Sequence, residues 1–472
     1  MTIRINVYDK VIKYPTAEEL KQAGRSCFLV YVTPFVGSIV EYSGRTCYRS
    51  FDKIKEESYK TFISNITKSG HESVIEHSNL VYILFKDPDV NPAVKDANET
   101  NRHLITLMMY NGLLNVSETK GFYIISGNIR MFKDLVREYF SVKDYNPYKY
   151  NPIIEDILSS FYTLPKYFFL DMIQSGKMKE ANFKPNPNLQ DATSSLVLNK
   201  LNDYVAVLNH DDVVINVRGY KMMENGVETV KRLNPPSRVM EKHKRITLVI
   251  HAPRYITHQI VRHRIASYSQ VSQRYCLEEG LNVYVPESMR TTPGAEAIGM
   301  QLFNNALTTY KQLIDLDVKK EDARSVLTNA QMSTVIMTAT VESFRHFIAV
   351  RADKAAQNFI RDMIAYPLKN YLERYANEHR GERSPKKIVE PAKSATSTVT
   401  RKPNNKARAN FKPKYKKPAN TASTPASAKE TRKPRYKNQP STTMGTKPAP
   451  KNGTGGNTFK RKGQPNKKFK KQ

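Results

Sequence analysis

The stretch Arg262-His263-Arg264-Ile265-Ala266-Ser267-Tyr268-Ser269-Gln270-Val271-Ser272-Gln273-Arg274-Tyr275 gathers many hydrogen-bond donors and contains no carboxylate. Two arginines flank a histidine, hydroxyl and amide side chains follow, and an Arg-Tyr pair closes the run. A guanidinium fork grips a phosphate through two parallel bonds, so such a surface suits phosphate esters. Just upstream, the segment from His251 to Val261 reads as a helix opening on Pro253, with Ile256 and Ile260 four apart on its inner side. On that reading Gln259, Arg262 and His263 share one face. The helix then frays at Ser267-Tyr268-Ser269, where hydroxyls compete for backbone partners. Taken alone, the same residues also suit the basic helix face of a nucleic-acid-binding protein.

The chain has 472 residues, enough for two or three domains, and a net charge of +31. That charge is unevenly spread. From Arg383 to Gln472 there are 26 Lys or Arg and 2 acidic residues, leaving a surplus of only 7 for the 382 residues before them. The body is nearly balanced and the tail is basic. Cys27, Cys47 and Cys276 are odd in number and far apart, which excludes a disulfide framework and a zinc knuckle and fits a reducing compartment. No apolar run approaches the ~18 to 20 residues of a membrane span, and the N-terminus lacks a signal-peptide core. A soluble, cytoplasmic protein is expected.

Working outward, residues 28–34 are β-rich and end at Pro34, which predicts an early strand. A polar helix is expected from Glu56 to Lys68, stopped by Gly70. His71-Glu72-Ser73-Val74-Ile75-Glu76-His77 places two His and two Glu within seven residues, but neither the spacing nor a third ligand matches a zinc pattern. Residues 126–140 have helical periodicity, with Met131, Phe132, Leu135 and Tyr139 on one side. Residues 245–251 read as a strand, a helix is expected from Ala295 to Leu316, and another opens at Glu321.

Arg-His-Arg, two residues, Ser, four residues, Ser, one residue and Arg-Tyr resembles the signature of the flavin-dependent thymidylate synthases. Two further stretches resemble the same family: Arg45-Thr46-Cys47-Tyr48 with Gly70-His71-Glu72-Ser73-Val74-Ile75-Glu76-His77, and Asp322-Ala323-Arg324 followed by Arg345-His346 and Arg351. The resemblance implies an α+β fold with a synthase-like core over residues 1–79 and 245–381; between them residues 80–244 read as an inserted, mainly helical subdomain, and residues 382–472 as a disordered basic tail. It implies reductive methylation of dUMP to dTMP, with methylenetetrahydrofolate as carbon donor and NADPH reducing a bound FAD. It implies a homotetramer and no metal.

The implied site follows residue by residue. Gln259, Arg262, Gln270, Ser272, Gln273, Arg274, Arg324 and Arg351 match positions that contact dUMP, with Arg351 in the catalytic role. A guanidinium stabilising charge at uracil N3 and O2 would make C5 nucleophilic without a cysteine. Ser73, Arg262, His263, Arg264, Gln270 and His346 match FAD-binding positions, and His71 a residue that places folate or the nicotinamide. One departure stands out: the family's Asn-x-Arg is here Thr340-Val341-Glu342, a charge reversal expected to weaken flavin binding. Asn128-Ile129-Arg130 resembles the missing triplet and is a candidate replacement, although Asn at a helix start is also an ordinary cap. Alternatives of other kinds are a relative that leaves a hydroxymethyl group on dUMP and a silent nucleotide- or nucleic-acid-binding scaffold.

From about Glu382 the composition shifts to Lys, Pro, Asn, Thr, Ser and Gly, too polar to offset chain entropy by burial. Phe411, Tyr415, Tyr436, Phe459 and Phe469 punctuate it. Cations with interspersed rings suit RNA or single-stranded DNA, and a solubilising tail is the alternative.

Overall fold

Four apolar, β-rich segments carry the architecture: 80–85, 122–127, 245–253 and 332–340. The computed structural model describes residues 26–86, 94–108, 114–141, 146–185, 196–215, 217–224 and 227–378. The chain separates into two units, 1–388 and 389–472, and every described residue lies in the first. The elements are β1 (Cys27–Val32), α1 (Val36–Tyr48), α2 (Ser58–Lys68), a 3₁₀ turn (Glu72–Glu76), β2 (Leu80–Phe85), α3 (Ala97–Met108), β3 (Asn115–Glu118), β4 (Phe122–Gly127), α4 (Ile129–Tyr139) and α5 (Pro152–Phe161). There follow β5 (Asn199–Lys200), β6 (Val205–His210), β7 (Val217–Glu224), β8 (Val227–Leu233), β9 (Arg245–Pro253), α6 (Arg254–Ile260), β10 (Ser267–Gln270), α7 (Ala295–Asp315), β11 (Met332–Thr340), α8 (Val341–Arg351) and α9 (Tyr366–Glu378).

Two antiparallel sheets result, one in the order β1-β2-β4-β3 and the other β10-β11-β9-β6-β5, with β7 and β8 as a separate ribbon. All six residues of β2 are buried, as a strand covered on both faces requires. Tyr82 and Leu84 pack with Ile125, Phe132, Ile157 and Phe161 on one side, while Val81 and Ile83 pack with Val30, Ile124, Val213 and Ile215 on the other. In the second sheet Ile246, Leu248, Ile250, Val335 and Met337 pack with Ile256, Phe344 and Phe347 of the helices.

A buried charge cluster ties α4 to the 72–76 turn. The Lys133 ammonium is fully buried, pairs with Glu72, donates to Asp171 at 2.7 Å and donates to the Phe168 carbonyl at 2.7 Å. Arg137 reaches the same two carboxylates at 2.6 Å and also pairs with Asp134. Burial is tolerable only because each charge meets its opposite.

The mixed α and β architecture agrees with the sequence, and several local readings are corrected. The helix after Pro253 is only α6, so Arg262 and His263 lie beyond its end and not on its face. Ser267-Tyr268-Ser269 is not a frayed helix but strand β10, paired with β11 from Ser267 opposite Thr338 to Gln270 opposite Val335. Residues 122–127 are a strand, and the 126–140 periodicity belongs to α4 from Ile129 onward. The helix at Glu321 is a single turn, Lys320–Ala323. Residues 80–244 hold helices α3 to α5 and also supply β2, β3 and β4 to the first sheet and β5 and β6 to the second. The basic tail lies outside the described residues.

Candidate functional site

The central motif is a loop between α6 and β10, then β10 itself, then a turn that runs to Tyr275. Tyr268 shapes the first part: its hydroxyl donates to the carbonyls of Ile260 at 3.0 Å and His263 at 2.6 Å, folding the loop back on the helix end. Burial pushes that phenol well above its ordinary value, so it stays a donor. His263 Nε2 lies 2.7 Å from Ser343 Oγ, and its ring lies 5.8 Å from that of His346 and edge-on to Phe347. Burial first, then His346 and Arg351, lower the His263 pKa, which favours the neutral ring at neutral pH. Arg262 and Arg264 are exposed and make no ion pair among the described residues.

Arg351, at the end of α8, donates from Nη2 to the Gln259 carbonyl at 2.9 Å, while the Gln259 amide donates to Gln357 at 2.7 Å. The Gln270 amide donates to Thr257 at 2.9 Å and Ser333 at 3.2 Å, which fixes its NH₂ and leaves its carbonyl oxygen outside those bonds. A second group forms where the motif ends. Arg274 pairs with Glu321 at 3.1 Å, and Arg324 donates to the Glu321 carbonyl at 3.1 Å. Arg274 and Glu321, with Asp317, Lys319 and Lys320, line an open cavity of about 470 Å³. Neither Arg351 nor Arg324 is among the residues that line it.

Other candidates are placed less centrally. Ser272 contributes its oxygen to the Arg274 amide at 3.3 Å, and Gln273 is buried, donating to Glu278 at 3.4 Å. His71 and Ser73 are exposed beside the 72–76 turn. Glu342 is met by Lys242 at 3.8 Å, so its charge is answered locally. Asn128 is buried and caps α4 by accepting from the Met131 amide at 2.8 Å, and Arg130 pairs with Glu76 at 2.6 Å, so both side chains have structural partners.

Three residues were missed in the sequence. Arg254 is half-buried, its Nη1 has no hydrogen-bond partner among the described residues, and its charge is felt against Arg324. Burial, then Arg324, lower its pKa, and Glu278 partly offsets them. Its signal was a lone cation directly after the helix-opening Pro253. Buried Glu278 is a hub, bonded to Arg49 at 2.9 Å and to Gln331 at 3.2 Å. Buried His77 lies 2.8 Å from both Ser269 Oγ and Thr338 Oγ1, bracing β10 and β11 from below. Among the described residues no His, Cys, Asp and Glu group is arranged to hold a metal, and no helix is long and apolar enough to cross a membrane.

Residues 230–372 match the model of the family described as Thymidylate synthase complementing protein. Over these residues the chain is similar to the flavin-dependent thymidylate synthases. The flavin-dependent thymidylate synthase of Pyrococcus furiosus is 36% identical over 114 residues, covering 23% of this chain and 47% of that protein. Its counterpart in Geobacter sulfurreducens is 39% identical over 110 residues, with shares of 23% and 47%. The chain thus spans about half the length of the curated relatives it matches. A solved UMP/dUMP methylase of Streptomyces cacaoi, bound with 5-Br dUMP, is 23% identical over 28% of this chain and 67% of its own. Its TM-score of 0.26 is too low to carry an argument.

A flavin dinucleotide is an anion, and the family's positions for it fit one here. Arg262 and Arg264 are exposed cations with no carboxylate paired to them among the described residues, and the ring of His263 between them in sequence lies 5.8 Å from that of exposed His346.

Proposed function

We propose that the protein is a flavin-dependent thymidylate synthase that converts dUMP to dTMP, taking its carbon from methylenetetrahydrofolate and its reducing equivalents from NADPH through FAD. The observation that carries the reading is the Arg351 guanidinium, anchored on the Gln259 carbonyl beside His263. One Nη2 hydrogen is spent on that carbonyl, and the remaining fork stays positively charged. In this reading it meets uracil N3 and O2 and stabilises the charge that makes C5 nucleophilic. Bound flavin supplies the hydride.

The nucleotide phosphate falls to Arg274, Arg324 and Arg254, with Ser272 beside them. Two guanidinium groups that raise each other's energy, as Arg254 and Arg324 do, are relieved by a shared anion. The reading includes a homotetramer, in which a second chain contributes to the site. The reading places the reaction in the cytoplasm, where the three free cysteines stay reduced. Binding of RNA or single-stranded DNA is assigned to the basic tail.

The test is spectroscopic. Purified protein loaded with FAD should show flavin absorption that NADPH bleaches, faster with dUMP present. Loaded protein whose bleaching ignores dUMP would contradict the reading.

A further inference from the structure

The two sheets repeat one another. The order β1-β2-β4-β3 is matched strand for strand by β6-β9-β11-β10. The register agrees as well. Leu80 faces Gly127 and Phe85 faces Phe122, as Ile246 faces Ala339 and His251 faces Thr334. Asn115 faces Ser126 where Ser267 faces Thr338. Both outer strands shift register at the same point, between Leu29 and Tyr31 in β1 and between Val207 and Asn209 in β6. In each set the central hairpin partner leads into an 11-residue helix, α4 or α8. Each helix is capped by a side chain that accepts from the amide three residues on: Asn128 from Met131 and Thr340 from Ser343. Superposing these registers puts Ile124 on Ile336, Ser126 on Thr338, Phe132 on Phe344 and Lys133 on Arg345.

The contacts between the two sets are reciprocal, as between the halves of a two-fold pair. His77 and His243 occupy the same place, three residues before the aligned Leu80 and Ile246. His77 of the first set lies 2.8 Å from Thr338 of the second, and His243 of the second lies 2.8 Å from Ser126 of the first. The aligned pair Asn79 and Arg245 also reaches across, Asn79 to the His243 carbonyl at 2.8 Å and Arg245 one position further along, to the Ser78 carbonyl at 3.4 Å. Even the charge reversal at Glu342 fits, since the Arg130–Glu76 pair of the first set becomes Glu342–Lys242 in the second.

The symmetry breaks at the site. Where the second set has His346, Arg351 and Gln270, the first has Asp134, Tyr139 and Glu118. His77 also makes a contact that His243 lacks: its Nε2 lies 2.8 Å from Ser269 Oγ, whereas His243 Nε2 has no partner among the described residues. That extra contact falls on β10, the strand that delivers Gln270 and leads to Ser272 and Arg274.

We propose that residues 27–139 and 205–351 are two copies of one sheet-and-helix unit, paired within the chain, and that the first copy has no nucleotide site of its own but positions the second copy's site through His77. This rests on the nucleotide-binding reading above. His77 is a positioning residue, acting through Ser269.

The pairing supplies its own control. His77→Gln and His243→Gln each remove a buried bond at equivalent places, so both should lower the urea midpoint. Only His77→Gln should weaken dUMP binding by calorimetry, by about 5- to 10-fold, and Ser269→Ala should reproduce that loss without adding to it in the double variant. Wild-type protein should bind one dUMP per chain. Two dUMP per chain, or equal effects of the two histidine variants on dUMP affinity, would overturn the proposal. Wild-type protein that takes up no dUMP would instead overturn the functional reading and His77's part in it. The pairing would then stand or fall on whether His77 couples to Thr338, and His243 to Ser126, in double-mutant cycles of urea stability.

Discussion

The Arg351 guanidinium donates to the Gln259 carbonyl oxygen at 2.9 Å, joining the last residue of α8 to the last turn of α6. This bond fixes where the remaining charge of Arg351 points. Arg351→Gln keeps an N–H donor on a shorter side chain and removes the charge. We expect turnover to fall by about 10²- to 10³-fold, the usual cost of losing a transition-state donor, with the urea midpoint little changed. Steady-state rates decide, and an unaltered rate would remove Arg351 from the chemistry.

Arg254 carries a buried nitrogen with no partner among the described residues, and it feels the charge of Arg324. If it meets the nucleotide phosphate, Arg254→Gln should weaken dUMP binding by about 10- to 100-fold, as charged hydrogen bonds contribute ~1.5 to 3 kcal/mol. Binding of deoxyuridine, which lacks the phosphate, should not change. Equal losses for the two ligands would make the residue merely structural.

Lys133 lies between the Glu72 and Asp171 carboxylates with no exposure to solvent. Lys133→Met leaves those anions with Arg137 alone and should cost ~3 to 5 kcal/mol, measured by urea unfolding. Lys133→Met combined with Glu72→Gln should recover part of the loss. Additive losses would show that charge balance is not what holds the cluster.

Burial holds both His77 and His243 at about 3, with Arg245 adding to the effect on the first and Lys242 on the second. A histidine in the unfolded chain titrates near ~6.5, so between the two values the unfolded state binds more protons. Their contribution is complete above the unfolded value and is lost as pH falls toward 3. Asp211, raised by its own burial, works in the opposite sense, because the folded state binds its proton more readily. Urea midpoints should therefore drop from pH 7 to pH 5, and His243→Gln should shallow that drop. A slope that the variant leaves unchanged would assign the dependence elsewhere.

Much of the second sheet's frame was legible because its signals are local. The run from Arg245 reads as a strand, and the long helix ends at Asp315, one residue from the expected Leu316. Strand β10 was not legible. Ser267 and Ser269 look like residues that end a helix, and only pairing with β11 and contact with His77, far away in the chain, makes them a buried strand. The run before Asn128 already looked strand-like, and the structure makes it the Phe122–Gly127 strand, followed after one capping residue by a helix. The arginines were legible as phosphate ligands by type, but their division into an Arg351 group and an Arg274 group depends on tertiary contacts with Gln259 and Glu321. Gln273 shows the same limit, since its amide turns inward to Glu278.

The central claim is that this chain makes dTMP, and product mass tests it most directly. FAD-loaded protein given dUMP, NADPH and methylenetetrahydrofolate should yield a nucleotide heavier than dUMP by one methyl group, and none when the folate is withheld. A product carrying a hydroxymethyl group, or unchanged dUMP from loaded protein, would contradict the account.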